Sequence, residues 1–243
     1  KNSDIKPNIV FILTDDLGYA DLSSYGSEFI NTPHLDDMAK DGAKLTSYYS
    51  SQAVCSASRA AILTGAYSNR IGINGAFGPK SKRGINQKEL LISEMLKENG
   101  YKTGIFGKWH LGDAEIFLPT RHGFDEFFGI LFSNDMWPFH PEIPHAFPDD
   151  LLLYKNENPI ETLIDQSDLT KRITDESIRF INENKNNPFF LYIPHPQPHV
   201  PLFASKEFKG STGKGLYADV ITEIDFSVGR VLNALEDNGL SEN

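Results

Sequence analysis

Two short runs, Asn8 to Thr14 (NIVFILT) and Pro188 to Ile193 (PFFLYI), are apolar at nearly every position rather than at alternate ones. A strand with no polar face needs cover on both sides, and that requirement is met inside a parallel sheet with helices packed above and below. Lys102 to Phe106, directly after a predicted helix that ends at Gly100, reads as a third strand. The residues between the strands carry helical periodicity. Thr32 as N-cap, Pro33 at the first helical position, Asp36 and Asp37 in the first turn and Gly42 beyond the end predict a helix of about two turns. Ser56 to Thr64, closed by Gly65, predicts a second. Asn86 and Glu89 resemble a capping box before an apolar face of Leu90, Leu91, Met95 and Leu96 that ends at Gly100. Ser167 to Asn184 and the long run from Leu216 through Leu235 to Gly239 complete the set, while Trp137 to Asp150, rich in Pro and His, reads as a surface loop. Strands alternating with helices define an α/β fold with a mostly parallel sheet.

Such sheets bind ligands beyond the carboxyl ends of their strands. Asp15 and Asp16 follow the first strand, Lys108 and His110 the second, and His199 the third, so a parallel arrangement brings all five to one rim. Adjacent carboxylates also form turns and helix caps. As hard oxygen donors they suit Ca²⁺ or Mg²⁺, but either ion wants about six or more ligands, so the pair is part of a site at most. Lys108 alone would be a solvated loop residue and His110 alone a core histidine; their joint position after a strand favours a functional reading.

The net charge of -10 and the lack of a Lys/Arg run argue against nucleic acid as a partner, and an anionic substrate needs a locally positive pocket. The longest apolar stretch, Ile9 to Leu13, is far short of the roughly 20 residues that span a bilayer. The chain opens at Lys1 without Met, as a mature exported protein or a trimmed chain would, and the expectation is an exported protein. Cys55 is the single cysteine and forms no intrachain disulfide, so it is core filler or chemistry. Its place at the start of a predicted helix, with Arg59 one turn on and Ser51, Gln52, Ser56 and Ser58 around it, favours chemistry, because dipole and guanidinium both stabilise negative charge there.

Cys55-Ser56-Ala57-Ser58-Arg59, followed by Leu63-Thr64-Gly65 and Arg70, resembles the signature of the formylglycine-dependent sulfatase family, with Ala57 where Pro is usual. Gly107-Lys108-Trp109-His110-Leu111-Gly112, the opening from Asn8 through Asp16-Leu17-Gly18-Tyr19, and Pro198-His199-Val200-Pro201 match three further family motifs in order. The resemblance is to arylsulfatase A-like and galactosamine-sulfatase-like members. It implies an alkaline-phosphatase-like sandwich, with residues 1–243 as the N-terminal portion of the catalytic domain and the C-terminal part missing. It further implies that a maturation enzyme oxidises Cys55 to formylglycine, that Asp15, Asp16 and residue 55 bind calcium, and that the hydrated aldehyde attacks sulfur. Arg59 would hold the diol, Lys108 would neutralise the sulfuryl oxygens, His199 would assist departure of the alcohol, and His110 would take the proton that collapses the covalent sulfate. The remaining metal ligands and a further active-site Lys would follow residue 243.

Ser133 and Asp135 align with a substrate-facing segment of the family, or form a simple turn; His140 and His145 are candidates for a substrate subsite, and His195 stays open. The substrate implied is a sulfated glycan or a small aryl sulfate. Two other readings remain: a phosphate or phosphonate monoester hydrolase of the same superfamily, and a non-catalytic module that binds sulfated glycans.

Overall fold

The computed structural model describes residues 6–144 and 146–243. Its centre is a six-stranded sheet in the order β1-β6-β2-β3-β4-β5, built from β1 (Ile9–Leu13), β2 (Lys102–Lys108), β3 (Glu126–Ile130), β4 (Leu152–Lys155), β5 (Asn158–Thr162) and β6 (Phe189–Pro194). The first four strands in that order are parallel, whereas β4 and β5 run antiparallel as a hairpin at one edge. Five helices, α1 (Pro33–Asp41), α2 (Cys55–Thr64), α3 (Ile92–Glu98), α4 (Leu169–Asn184) and α5 (Leu216–Asp237), supply the cover that the apolar strands demand.

Alternate residues of each central strand feed opposite cores. Phe190, Tyr192, Ile105 and Phe127 pack with Ala57, Ala60 and Leu63 of α2 and Leu96 of α3. Phe189, Leu191, Ile193, Phe106 and Phe128 pack on the other face with Ile173, Phe180 and Ile181 of α4 and Val231 and Ala234 of α5. Of the expected strands, β2 and β6 are buried on both faces, whereas β1 lies at the sheet edge and its residues are only half-buried; β3, which the sequence reading did not single out, is buried on both faces as well. Among the described residues no helix is long and apolar enough to cross a membrane.

Several local expectations change. Asn86 closes a turn to Glu89 instead of starting a helix; α3 begins at Ile92, and the reciprocal cap is Leu91 N–H donating to Glu94 Oε2 at 2.9 Å. Leu91 and Leu96 are buried as expected, but Leu90 and Met95 face solvent, because the helix starts later and its inward stripe shifts with it. Thr32 precedes α1, yet its hydroxyl is occupied by Ser23, and the carboxylate of Asp225 on α5 takes the amides of His34 and Leu35 at 3.3 and 2.9 Å. The loop from Trp137 is anchored, with Trp137 buried and its indole N–H donating to the Leu163 carbonyl at 2.7 Å.

The second strand runs two residues further than expected because Gly107 pairs with Gly129 and Lys108 with Ile130. Here backbones approach so closely that a Cβ on Gly107 would meet the Pro194 carbonyl oxygen at 2.1 Å, and one on Gly129 would meet that of Gly107 at 1.8 Å. Both glycines have positive φ, 139° and 153°. Gly129→Ala is expected to destabilise the fold by at least about 3 kcal/mol, since the atoms its Cβ would meet belong to the Gly107 backbone, which cannot swing aside as a side chain would; urea unfolding of the purified variant checks this, and a midpoint near that of the parent would refute it.

Candidate active site

The three polar clusters do converge at the carboxyl ends of β1, β6 and β2. Chain reversal after β1 leaves Asp15 buried with its amide donating to the Gln197 carbonyl at 3.3 Å, while Asp16, in the left-handed region at φ 62°, turns its carboxylate outward. Asp15 is the hub. Lys108 Nζ makes a short charged hydrogen bond to its Oδ2, and Arg59 Nη2 lies 3.2 Å from the same oxygen. Arg59 also donates through Nη1 to the Lys108 carbonyl at 2.7 Å, and Lys108 Nζ donates to Ser133 Oγ at 2.8 Å. All four residues are buried. Burial by itself would raise the Asp15 carboxyl, but Arg59 and Lys108 beside it outweigh that and hold it below the usual carboxylate range. Burial dominates for Lys108, whose ammonium is held below the ordinary lysine value despite the Asp15 contact.

Cys55 is the first residue of α2, entered through an extended Val54, and is half-buried. It lines a cleft of about 320 Å³ together with Asp15, Asp16, Ser58 and Arg59, with Tyr48, Ser50 and Gln52 at its mouth. His110, wholly buried at φ 59°, places Nε2 2.8 Å from the Phe77 carbonyl oxygen. Burial, followed by the nearby Lys108 and Arg59 cations, pushes its pKa well below the ordinary histidine value. His199 comes to the cleft from the loop after β6, its Nε2 3.6 Å from Asp16 Oδ2.

The acid pair fits part of a cation site. Asp15 and Asp16 present hard oxygens to the same cleft as residue 55, but Asp15 is already engaged by two cations, and among the described residues no group of three or more His, Cys, Asp or Glu side chains gathers to hold an ion.

Other candidates take structural places. His140 Nδ1 accepts the amides of Glu142 and Ile143 at 3.1 and 3.2 Å, so it organises a turn; His145 lies outside the described residues. His195 faces α5, 3.4 Å from Ser227 Oγ, on the side of the sheet remote from Cys55. The sequence reading missed Asn134. Fully buried beside Ser133, it donates through Nδ2 to the carbonyls of His199 and Pro201 at 3.2 and 3.1 Å and so clamps the histidine loop. Its only signal was adjacency to Ser133.

The sulfatase family model matches residues 7–243. N-acetylgalactosamine-6-sulfatase of Rattus norvegicus is 39% identical over 252 residues, which cover 98% of this chain and 48% of that protein. Arylsulfatase A of Bos taurus is 36% identical over 96% of this chain and 49% of its own length. Among solved structures, Ps i-CgsB in complex with k-i-k-neocarrahexaose aligns with a TM-score of 0.85 at 32% identity, over 97% of this chain and 56% of that one. The chain spans about half the length of the curated relatives it matches.

Two measurements follow from the buried charges. Asp15→Ala leaves Lys108 and Arg59 without a counter-charge and is expected to cost about 3–5 kcal/mol in chelator-treated protein; an unchanged unfolding midpoint would mean that the pair is not buried as described. Burial also pushes His195 down to about 4 from an ordinary 6.5. The unfolded chain thus binds this proton first as pH falls, so stability is intact above about pH 6.5 and declines towards pH 4, by about 3 kcal/mol in all. His195→Gln should flatten that slope in urea titrations taken across this range, whereas an unaltered slope would assign it to other groups.

Proposed function

We propose, from the premise that this chain belongs to the sulfatase family, that its cleft hydrolyses sulfate monoesters with residue 55, matured from Cys55 to formylglycine, as the nucleophile. The observation that carries this reading is the buried Asp15–Arg59–Lys108 cluster beside Cys55. Within the buried cluster two cations meet one carboxylate, and Asp16, the second carboxylate of the cleft, lies outside it with its side chain turned to solvent, so the buried end carries one excess positive charge, which suits the monoanion of a sulfate ester in a protein that is acidic overall.

Each residue then has a task. Arg59, anchored at both ends by Asp15 and the Lys108 carbonyl, orients the diol of residue 55. Lys108 turns from Asp15 and Ser133 to the sulfuryl oxygens, and Ser133, one hydrogen bond away, faces the same group. His199 contacts the sulfate and gives a proton to the departing alcohol. His110, held neutral by burial and by the two cations, accepts the proton of the second hydroxyl so that the aldehyde re-forms and sulfate leaves. Asp15, Asp16 and residue 55 would hold calcium, completed by ligands from polypeptide beyond residue 243; when bound, the ion supplies further positive charge at the sulfuryl group.

A sulfated glycan is the proposed substrate, supported by the relative named for N-acetylgalactosamine 6-sulfate and by the neighbour bound to an oligosaccharide; the arylsulfatase relative keeps aryl sulfates as laboratory substrates. A formylglycine-generating enzyme is the proposed maturation partner, and an exported compartment the proposed location.

The test uses the complete polypeptide, produced with a maturation system. Peptide mass spectrometry should find the aldehyde at residue 55, a panel of sulfated mono- and disaccharides should release sulfate, and phosphate esters should not be preferred. Cys55→Ala should abolish turnover, whereas His110→Ala should accumulate sulfate covalently on residue 55. Sulfate release by protein whose Cys55 is still a thiol would overturn the reading.

A further inference from the structure

The reading above leaves open which ring nitrogen of His110 acts and what fixes it. The Phe77 carbonyl oxygen, 2.8 Å from His110 Nε2, can only accept, so the proton of the neutral ring sits on Nε2. Nδ1 then carries the lone pair, and it is buried without a protein partner. Nδ1 of His122 and of His195 is likewise buried without a partner, but of these three rings only that of His110 stands at the rim with Lys108 and Arg59, where a basic nitrogen waiting for a proton has a use.

Phe77 itself is tied down from the other side. Its N–H donates to Ser56 Oγ at 3.1 Å, and Ser56 is the second residue of α2, wholly buried and covalently next to Cys55. Two hydrogen bonds and one peptide link therefore join residue 55 to the ring: Cys55 to Ser56 through the chain, Ser56 to the Phe77 amide, and the Phe77 carbonyl to His110. Rotation of the ring by half a turn, or transfer of its proton to Nδ1, would break the second of these bonds. We propose that Ser56 is a positioning residue that, through the Phe77 main chain, locks His110 as the Nε2–H tautomer and so keeps Nδ1 as the base for collapse of the covalent sulfate.

This inference rests on His110 acting as that base. In the step, the remaining hydroxyl of residue 55 gives its proton to Nδ1, its oxygen pair forms the C=O bond, and the bond from carbon to the sulfate oxygen breaks with its electrons leaving on sulfate. The imidazolium afterwards returns the proton to solvent. The Phe77 carbonyl suits both ends of the cycle, because Nε2 donates to it whether the ring is neutral or charged.

Ring-nitrogen chemical shifts of isotope-labelled histidine, read in the complete polypeptide carrying Cys55→Ala and assigned with His110→Gln, test the tautomer without requiring turnover. The expected result is a proton on Nε2 and a bare Nδ1. Ser56→Ala should give a mixture of tautomers or a broadened ring signal, and Ser56→Thr, which keeps the hydroxyl, should restore the parent pattern. In the matured enzyme Ser56→Ala should lower kcat about tenfold, with KM changed less than about twofold and sulfate accumulating on residue 55. Ser56→Cys, of similar size with a weak acceptor, gives the same readings should the alanine variant not fold. A parent protein with its proton on Nδ1, or a folded Ser56 variant lacking the hydroxyl that alters neither tautomer nor kcat, overturns the proposal. Absence of sulfate release by the parent enzyme would instead strike the proposed function and leave the tautomer result standing.

Discussion

Everything at the rim is referred to one buried carboxylate. Asp15 sits just beyond the tip of β1, Arg59 on α2 and Lys108 on the tip of β2; the ladders to β6 and the core under α2 bring these elements together, and two cations that share one counter-charge away from water fix how their ends meet. Ion pairs on the surface are weak and tolerate sloppy geometry. Here the side chains are shielded, the partners are few, and misplacing any of them leaves a charge in an apolar setting. The buried end of the cleft is thus placed by the same packing as the core beneath it, and residue 55 stands beside it as the first residue of the helix that carries Arg59.

A second group of buried acids does a quieter job. Along α5, Asp219 receives the amides of Gly210 and Thr212, Glu223 that of Ser205, and Asp225 those of His34 and Leu35. One helix thereby fixes the loop after β6 and the start of α1 without offering any of these carboxylates to solvent. Part of the chain's acidity is therefore internal scaffolding.

The sequence disclosed what depends on neighbours along the chain. Unbroken apolar runs announced β1 and β6, the place of Lys102 to Phe106 directly after a helical segment announced β2, and the tips of the three located Asp15, Lys108, His110 and His199. The hairpin of β4 and β5 escaped notice because its strands are short, and β5 is exposed along its length. Asn134 and Asp225 act on segments 65 and 190 residues away, through amides and carbonyls that every residue possesses, so no residue pattern signals them. Thr32 looked like a cap for the same reason: the competing partner, Ser23, is chosen by the fold and not by local spacing.

The contact of Gly107 with Pro194 and Gly129 lies one residue below Lys108, at the level where the strand tips give way to loops. It divides the molecule by how freely it can diverge. Above it, the segment bearing Tyr48 and Gln52 is largely exposed and can exchange side chains without moving a strand. At it, any side chain at all forces strands apart and moves the charged tips out of register. A lineage starting from this scaffold can reshape the mouth of the cleft, while the row of missing side chains holds the charged residues underneath in place.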